Sequence, residues 1–347
     1  MKAGKQIIFL VAALAVVAAA LAWSFHRVGT EGLLQAVRNI DWRWAPVAVA
    51  AQLLVFPVKA WRWRVILGKP EGVRYGTLLS AIMIGFMANS IFSRIGELVR
   101  AVVMSIRKEM RTSSALASIA LERIFDTCIV VLFMVIALLW LNPATSGEAG
   151  QRVMQLRVTG MVAGAGFIVV CVFLVLLKVR PEPTSRFILW FFRWLPAKVR
   201  GHVERFMQTF LDGLQTIRSF RQLVWIVVLS VFHWMLQVLF FYFAGLCLPS
   251  LGMSMPIAML VFVVTAFGVA GLPLPGYLGI YQAAVLLAGL IAGATAEQMT
   301  AGVWFHYSWV SWLLNIPFVI LAGFIFLWAG GLSLKQIQAE TTKGAER

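Results

Sequence analysis

Charge is what this chain has least of. Asp, Glu, Lys and Arg make up only 13% of the 347 residues, against 61% hydrophobic. A soluble domain carries about a quarter charged and half apolar residues. No polar stretch is long enough to fold alone, so the chain reads as one membrane domain. Cysteine is scarce too: Cys128, Cys171 and Cys247 lie in or beside apolar runs, without CxxC or Cys/His spacing. They read as small buried hydrophobes, not as metal ligands or a redox pair. The four histidines, His26, His202, His233 and His306, are scattered. There is no P-loop, no G-x-S-x-G and no H-E-x-x-H. Nucleotide hydrolysis, serine-hydrolase chemistry and zinc-peptidase chemistry therefore lack their residues. The expectation is a protein that is not an enzyme and uses no cofactor or metal.

Positive charge is the exception, with a net +16. It does not point to nucleic acid. The Lys and Arg residues gather in loops, as the bias toward positive cytoplasmic loops predicts. Several apolar runs exceed the ~18 residues that mark a spanning helix. Full spans are expected near 6–25, 44–67, 113–141, 156–178, 222–246 and 300–330. Lys2 and Lys5 precede a first run too long for a signal-peptide core, so it reads as an uncleaved helix.

The stretch 178–221 holds nine Lys/Arg against three acids and reads as cytoplasmic. The loops 247–256 and 142–155 carry no charge and two charges respectively, and read as external. Within the basic stretch, Val199, Val203, Phe206, Met207, Phe210, Leu214 and Ile217 recur at helical spacing. That pattern predicts an amphipathic helix on the membrane surface.

Two further apolar stretches are interrupted. The first, from about Gly76 to Ser105, breaks at 89–97; the second, from about Pro256 to Leu290, breaks at 271–279. Gly/Pro-interrupted segments in matching positions of two halves point to a transporter's binding site. Threading the chain by charge makes the first hairpin leave and return on the cytoplasmic side. The second then dips from outside. The fold expected is all-α and polytopic, an inverted-topology repeat with two re-entrant hairpins. Its parts are 1–43 (first span and external loop), 44–141 (repeat one), 142–221 (span and basic connector), 222–330 (repeat two) and 331–347 (tail). Both termini fall in the cytoplasm. The alternative is that each hairpin is two short tilted spans.

Ionisable groups inside a bilayer need a partner or a task. Glu122, Arg123 and Asp126 stand in the third span. Glu122 lies roughly 16 Å beyond Arg111, near mid-membrane. The spacing predicts that Arg123 pairs with Asp126 while Glu122 faces another element. A structural clamp and a headgroup or proton site both fit. In the first hairpin Arg94 can supply a guanidinium for phosphate. Asn89, Ser90 and Ser93 can satisfy freed backbone groups or touch a ligand, and Glu97 can cap the return helix with Arg100 one turn on. In the second hairpin Pro273 and Pro275 stop the entering helix, Gly276 and Gly279 allow close approach, and Tyr281 and Gln282 face inward or upward. His233 and Gln237, four apart, form another polar pair, and His306, Tyr307 and Asn315 add polar groups; all of these are expected to make interhelical hydrogen bonds.

Arg94-Ile95-Gly96-Glu97 with Arg100, Leu121-Glu122-Arg123-Ile124 with Asp126, and Pro275-Gly276 with Gly279 occur in an order that resembles the flippase-like family. That family comprises the transmembrane part of lysylphosphatidylglycerol synthases and their stand-alone relatives. The resemblance implies movement of a lipid between leaflets, in a bacterial or archaeal cytoplasmic membrane. Relatives are associated with aminoacylated phosphatidylglycerol, hopanoid pathways and archaeal lipid-linked glycans. Two departures matter: Ser93 stands where Pro is usual, and Tyr277 stands where a second Gly is common, with Gln282 near an acidic position. The aminoacyl-transferase domain is not in the sequence, so lysyl-lipid synthesis is not expected. The substrate expected is an anionic or isoprenoid-type lipid. The alternative is a non-transporting partner of lipid-biosynthesis enzymes.

Overall fold

The computed structural model describes residues 40–68, 72–92, 95–140, 219–271, 274–295, 298–299, 302–333, 336–337 and 340. The expected spans at 6–25 and 156–178, the amphipathic connector, and Ser93, Arg94 and Pro273 lie outside these residues.

The described residues form helices and turns without strands. They are α1 (Ala45–Ile66), α2 (Tyr75–Phe92), α3 (Gly96–Ile106), α4 (Thr112–Trp140), α5 (Phe220–Leu246), α6 (Met255–Gly271), α7 (Ile280–Ile291) and α8 (Val303–Ala329). A short 3₁₀ turn, Pro275–Tyr277, stands between α6 and α7. Four helices, α2, α4, α5 and α8, are long and apolar enough to cross a membrane. The protein is a multi-pass membrane protein. α1 matches the expected span at 44–67, yet carries Lys59, Arg62 and Arg64 in its C-terminal half.

Both interrupted stretches are broken helix pairs. α2 runs to Phe92 and α3 starts at Gly96, so the first break is narrower than 89–97. Asn89 stays helical and acts from a distance: its Oδ1 accepts the Gly96 N–H at 2.6 Å, satisfying one free donor at the start of α3. The second break falls between Gly271 and Ile280, as the Gly/Pro run predicts. The limbs are unequal in the same sense in both pairs. α2 and α6 have 18 and 17 residues, α3 and α7 only 11 and 12. At ~1.5 Å per residue the long limbs span about 26 Å and the short ones about 17 Å.

The feet of the first pair are tied together. Glu109, just past α3, accepts from the Arg74 N–H at 3.0 Å and from Thr77 Oγ1 at 2.9 Å, at the start of α2. Arg107 donates to the Gly330 carbonyl, placing the end of α8 at the same level. α1 and α5 run antiparallel along each other: the Asp41 N–H reaches the Cys247 carbonyl at 2.9 Å, and Gln222 Nε2 reaches the Val65 carbonyl at 2.8 Å at the other end.

Apolar packing gathers into two clusters. One holds the start of α1, the C-terminal part of α4, and most of α5, α6 and α7. The other holds the end of α1, α2, α3 and the start of α4. α8 joins both, giving Trp304, Tyr307 and Leu314 to the first and Val319 and Leu327 to the second. α4 passes from one to the other between Ile119 and Ile129. Glu122, Arg123 and Asp126 lie in that interval.

Candidate functional site

Where α4 changes clusters, five charged side chains are buried together: Lys59, Arg62, Arg100, Glu122 and Asp126. Glu122 meets three cations, Lys59 Nζ at 2.7 Å, Arg62 Nη2 at 3.1 Å and Arg100 Nη2 at 2.8 Å. Asp126 meets Arg62 Nη1 at 2.6 Å and Lys59 Nζ at 3.3 Å. Trp234 Nε1 donates to the same carboxylate at 3.0 Å, and His233 Nε2 stands 3.6 Å from it. Arg100 lies over the Trp63 ring, 4.3 Å from its centroid, and Trp63 Nε1 donates to Ser118 Oγ. Ion pairs with this geometry can survive burial, where a lone charge would not. Among the described residues this buried set has three cations to two carboxylates.

Arg123 behaves differently. The sequence predicts that it pairs with Asp126. That ion pair is present but loose and shared: the guanidinium stands 3.8 Å from Asp126, 3.8 Å from Glu122 and 3.6 Å from Glu97. Charge-assisted hydrogen bonds close to about 2.8 Å, so Arg123 is shared loosely among three acids. Lys59 and Arg62 take Asp126 because they reach it from the facing helix. Arg123 is 42% exposed and Glu97 34%, and both line a cavity of about 430 Å³.

The cavity lies between the two broken pairs. Phe86, Asn89 and Ser90 of α2 form one side, Thr265, Val269 and Ala270 of α6 another. Gln52, Trp234, Gln237, Phe241 and Asn315 close it, with Tyr277 and Tyr281 from the second pair. Most of its surface is apolar. Lys59 sits behind two aromatic walls, 5.5 Å from the Phe86 centroid and 5.7 Å from that of Trp234. The ion cluster is thus separated from the cavity by rings, while Arg123 reaches it. The volume suits a small polar ligand or a headgroup.

The family model for the lysylphosphatidylglycerol synthase TM region matches residues 10–317. The chain belongs to this family. Neither a curated protein nor a solved structure matches it.

In this lysylphosphatidylglycerol synthase TM-region protein the expected site residues other than Arg94, which lies outside the described residues, divide in three. Asn89, Glu97, Arg123 and Tyr281 line the cavity. Arg100, Glu122 and Asp126 do not; they belong to the buried ion cluster behind it. Pro275, Gly276, Gly279 and Gln282 shape the second break instead of lining it. Gln282 is buried, and its Oε1 accepts the Gly279 N–H at 2.9 Å and caps α7. Gly276 offers its carbonyl to Trp312 Nε1 at 2.8 Å. Gln237 makes an interhelical bond of the expected kind, donating to Gln52 at 2.7 Å across the α1–α5 contact. Tyr307 does make an interhelical bond, to the Phe241 carbonyl at 2.8 Å.

Lys59 and Arg62 were missed from the sequence, and so were Trp234 and Tyr277 as cavity or cluster residues. A signal existed for the first two. Lys59 and Arg62 are three apart on one helix, as Glu122 and Asp126 are four apart, so each pair shares a face.

Proposed function

We propose that this chain moves an anionic or isoprenoid-type lipid between leaflets, holding the headgroup in the cavity between the two broken helix pairs while the acyl chains stay in lipid. The observation that carries this is Arg123. Its guanidinium faces a largely apolar cavity with no carboxylate closer than 3.6 Å. A cation held so loosely in a low-dielectric setting gains from an incoming anion far more than it would in water. The buried set behind it, with one cation in excess among the described residues, adds to the attraction.

The two hairpins are read as re-entrant, in inverted repeats, in a cytoplasmic membrane. The short limbs support this. A return helix of 11 residues, about 17 Å long, starts at the break and ends at the level where its partner began. The break then lies near the middle of a ~30 Å core. Helix ends at mid-depth are tolerated where protein or a water-filled cavity surrounds them, and the cavity lies beside both.

The reading includes no chemistry on the lipid. The test is leaflet exchange in proteoliposomes, using phosphatidylglycerol with a fluorescent short acyl chain and a membrane-impermeant quencher. Exchange well above protein-free vesicles is expected, with Arg123→Gln about tenfold or more slower, the loss of one charged hydrogen bond. Exchange no faster than in empty vesicles, for this lipid and for an isoprenoid phosphate, would sink the proposal.

A further inference from the structure

We infer that Tyr277 is a specificity-determining residue of the cavity, its phenol closing with Arg123 on the phosphodiester of an anionic lipid. This rests on the reading of the cavity as a headgroup site. It starts from a backbone outlier. Among the described residues only Lys108 and Tyr277 take positive φ without being glycine. Lys108 (φ 56°) follows the C-cap of α3, a place where the left-handed conformation is common. Tyr277 (φ 54°) has no such excuse, and it directly follows Gly276 at φ 62°. Glycine is the default residue for this geometry and a bulky aromatic is not.

Strain of this kind persists only where the surroundings over-determine it. They do here. The Tyr277 N–H donates to the Leu274 carbonyl at 3.0 Å. Trp312 Nε1 grips the Gly276 carbonyl at 2.8 Å. The turn packs against α2 of the other half. What the strained backbone achieves is the position of one side chain. Tyr277 lines the cavity within electrostatic reach of Glu97 and Arg123. It is the point where the tip of the second hairpin meets the charged wall of the first half.

A phenol and a guanidinium lining one cavity suit a phosphodiester monoanion. Arg123 supplies charge and up to two N–H donors, and Tyr277 one O–H donor to the same phosphate. Glu97 then acts as the occupant of Arg123 in the empty state, displaced when the phosphate arrives. Because the two donors come from different halves, the ligand bridges the parts whose relative movement would open the cavity to either side.

The test is native mass spectrometry of the full chain released from nanodiscs of mixed phosphatidylglycerol and phosphatidylcholine. Wild type, Tyr277→Phe, Tyr277→Gly and Arg123→Gln are compared, with thermal stability measured on the same samples. The wild type is expected to retain phosphatidylglycerol over phosphatidylcholine. Tyr277→Phe should lose that preference by about tenfold at unchanged melting temperature, the effect of one hydrogen bond to a charged oxygen. Tyr277→Gly should lose it equally while melting no lower, because glycine relieves the strain. Added inorganic phosphate should not displace the lipid; displacement would make the site one for free phosphate. If Arg123→Gln loses the lipid but both Tyr277 variants keep it, Tyr277 is a structural turn residue and this inference fails alone. If the wild type retains only the bulk lipid mixture, the headgroup site fails with it.

Discussion

Glu122 is the residue on which the buried ion cluster hangs. It forms ion pairs with Lys59, Arg62 and Arg100, which come from two other helices, and accepts hydrogen bonds from Arg100. Glu122→Gln leaves Lys59 and Arg62 to share Asp126, and leaves Arg100 without a carboxylate. Breaking a buried pair costs about 3–5 kcal/mol, so the variant should unfold at markedly lower temperature in detergent or nanodiscs. Lys59→Met is expected to cost less, since two cations then face two carboxylates. Equal losses for the two would show that charge balance does not govern the cluster. Arg123→Gln should barely move the melting temperature. The acids of this cluster were legible because Glu122, Arg123 and Asp126 interrupt an apolar run of α4. Their partners were not. Lys59 and Arg62 lie in Lys59-Ala-Trp-Arg-Trp-Arg at the end of a span, where positive charge normally marks the cytoplasmic edge. Helical spacing brought Arg123 near Asp126, as expected, but spacing says nothing about competitors on the facing helix.

Among the elements, the two broken pairs depend on close contact between limbs. A Cβ on Gly85 of α2 would meet Arg100 Cγ and the Gly96 carbonyl, and one on Gly96 would meet the Gly85 carbonyl and the Asn89 side chain. Backbone cannot yield as a flexible side-chain tip can. Gly85→Ala should therefore push the limbs apart, at an overpacking cost of about 1–3 kcal/mol. It should also weaken the Arg100–Glu122 pair, so Gly85→Ala and Glu122→Gln should be less than additive in unfolding measurements. Strict additivity would separate the limb contact from the cluster. The second break was legible almost to the residue, since Gly271, Pro275, Gly276 and Gly279 each oppose a continuing helix. The first was drawn too wide. Asn89 and Ser90 look like loop residues in the sequence. Within α2, Ser90 Oγ instead donates to the Phe86 carbonyl at 3.0 Å, and Asn89 caps α3 while remaining helical.

At the scale of the molecule, limb lengths bear on whether the hairpins dip or cross. α2 is itself long and apolar enough to span, which favours two crossings if taken alone. Its partner is not: α3 covers about 17 Å of a ~30 Å core. The Glu109 contacts fix the far end of α3 beside the start of α2, so the longer limb must tilt to meet the shorter one at the break. The same inequality recurs in α6 and α7. Both tips are then expected near mid-depth, screened from either aqueous face. Phe92 and Leu274, which flank the two breaks, test this in a cysteine-free background. Phe92→Cys and Leu274→Cys should react slowly with a bulky impermeant thiol reagent added to either side of oriented vesicles. A cysteine at Arg107, beyond the foot of the first pair, should react quickly from one side only. Fast reaction of Phe92→Cys from the side opposite Arg107→Cys would mean that α2 and the residues after it cross fully. The inverted repeat would then give way to a bundle of two short spans in each half. Slow reaction at both tips, made faster by Tyr277→Gly, would tie the closed state of the cavity to the meeting of the second tip with the first half.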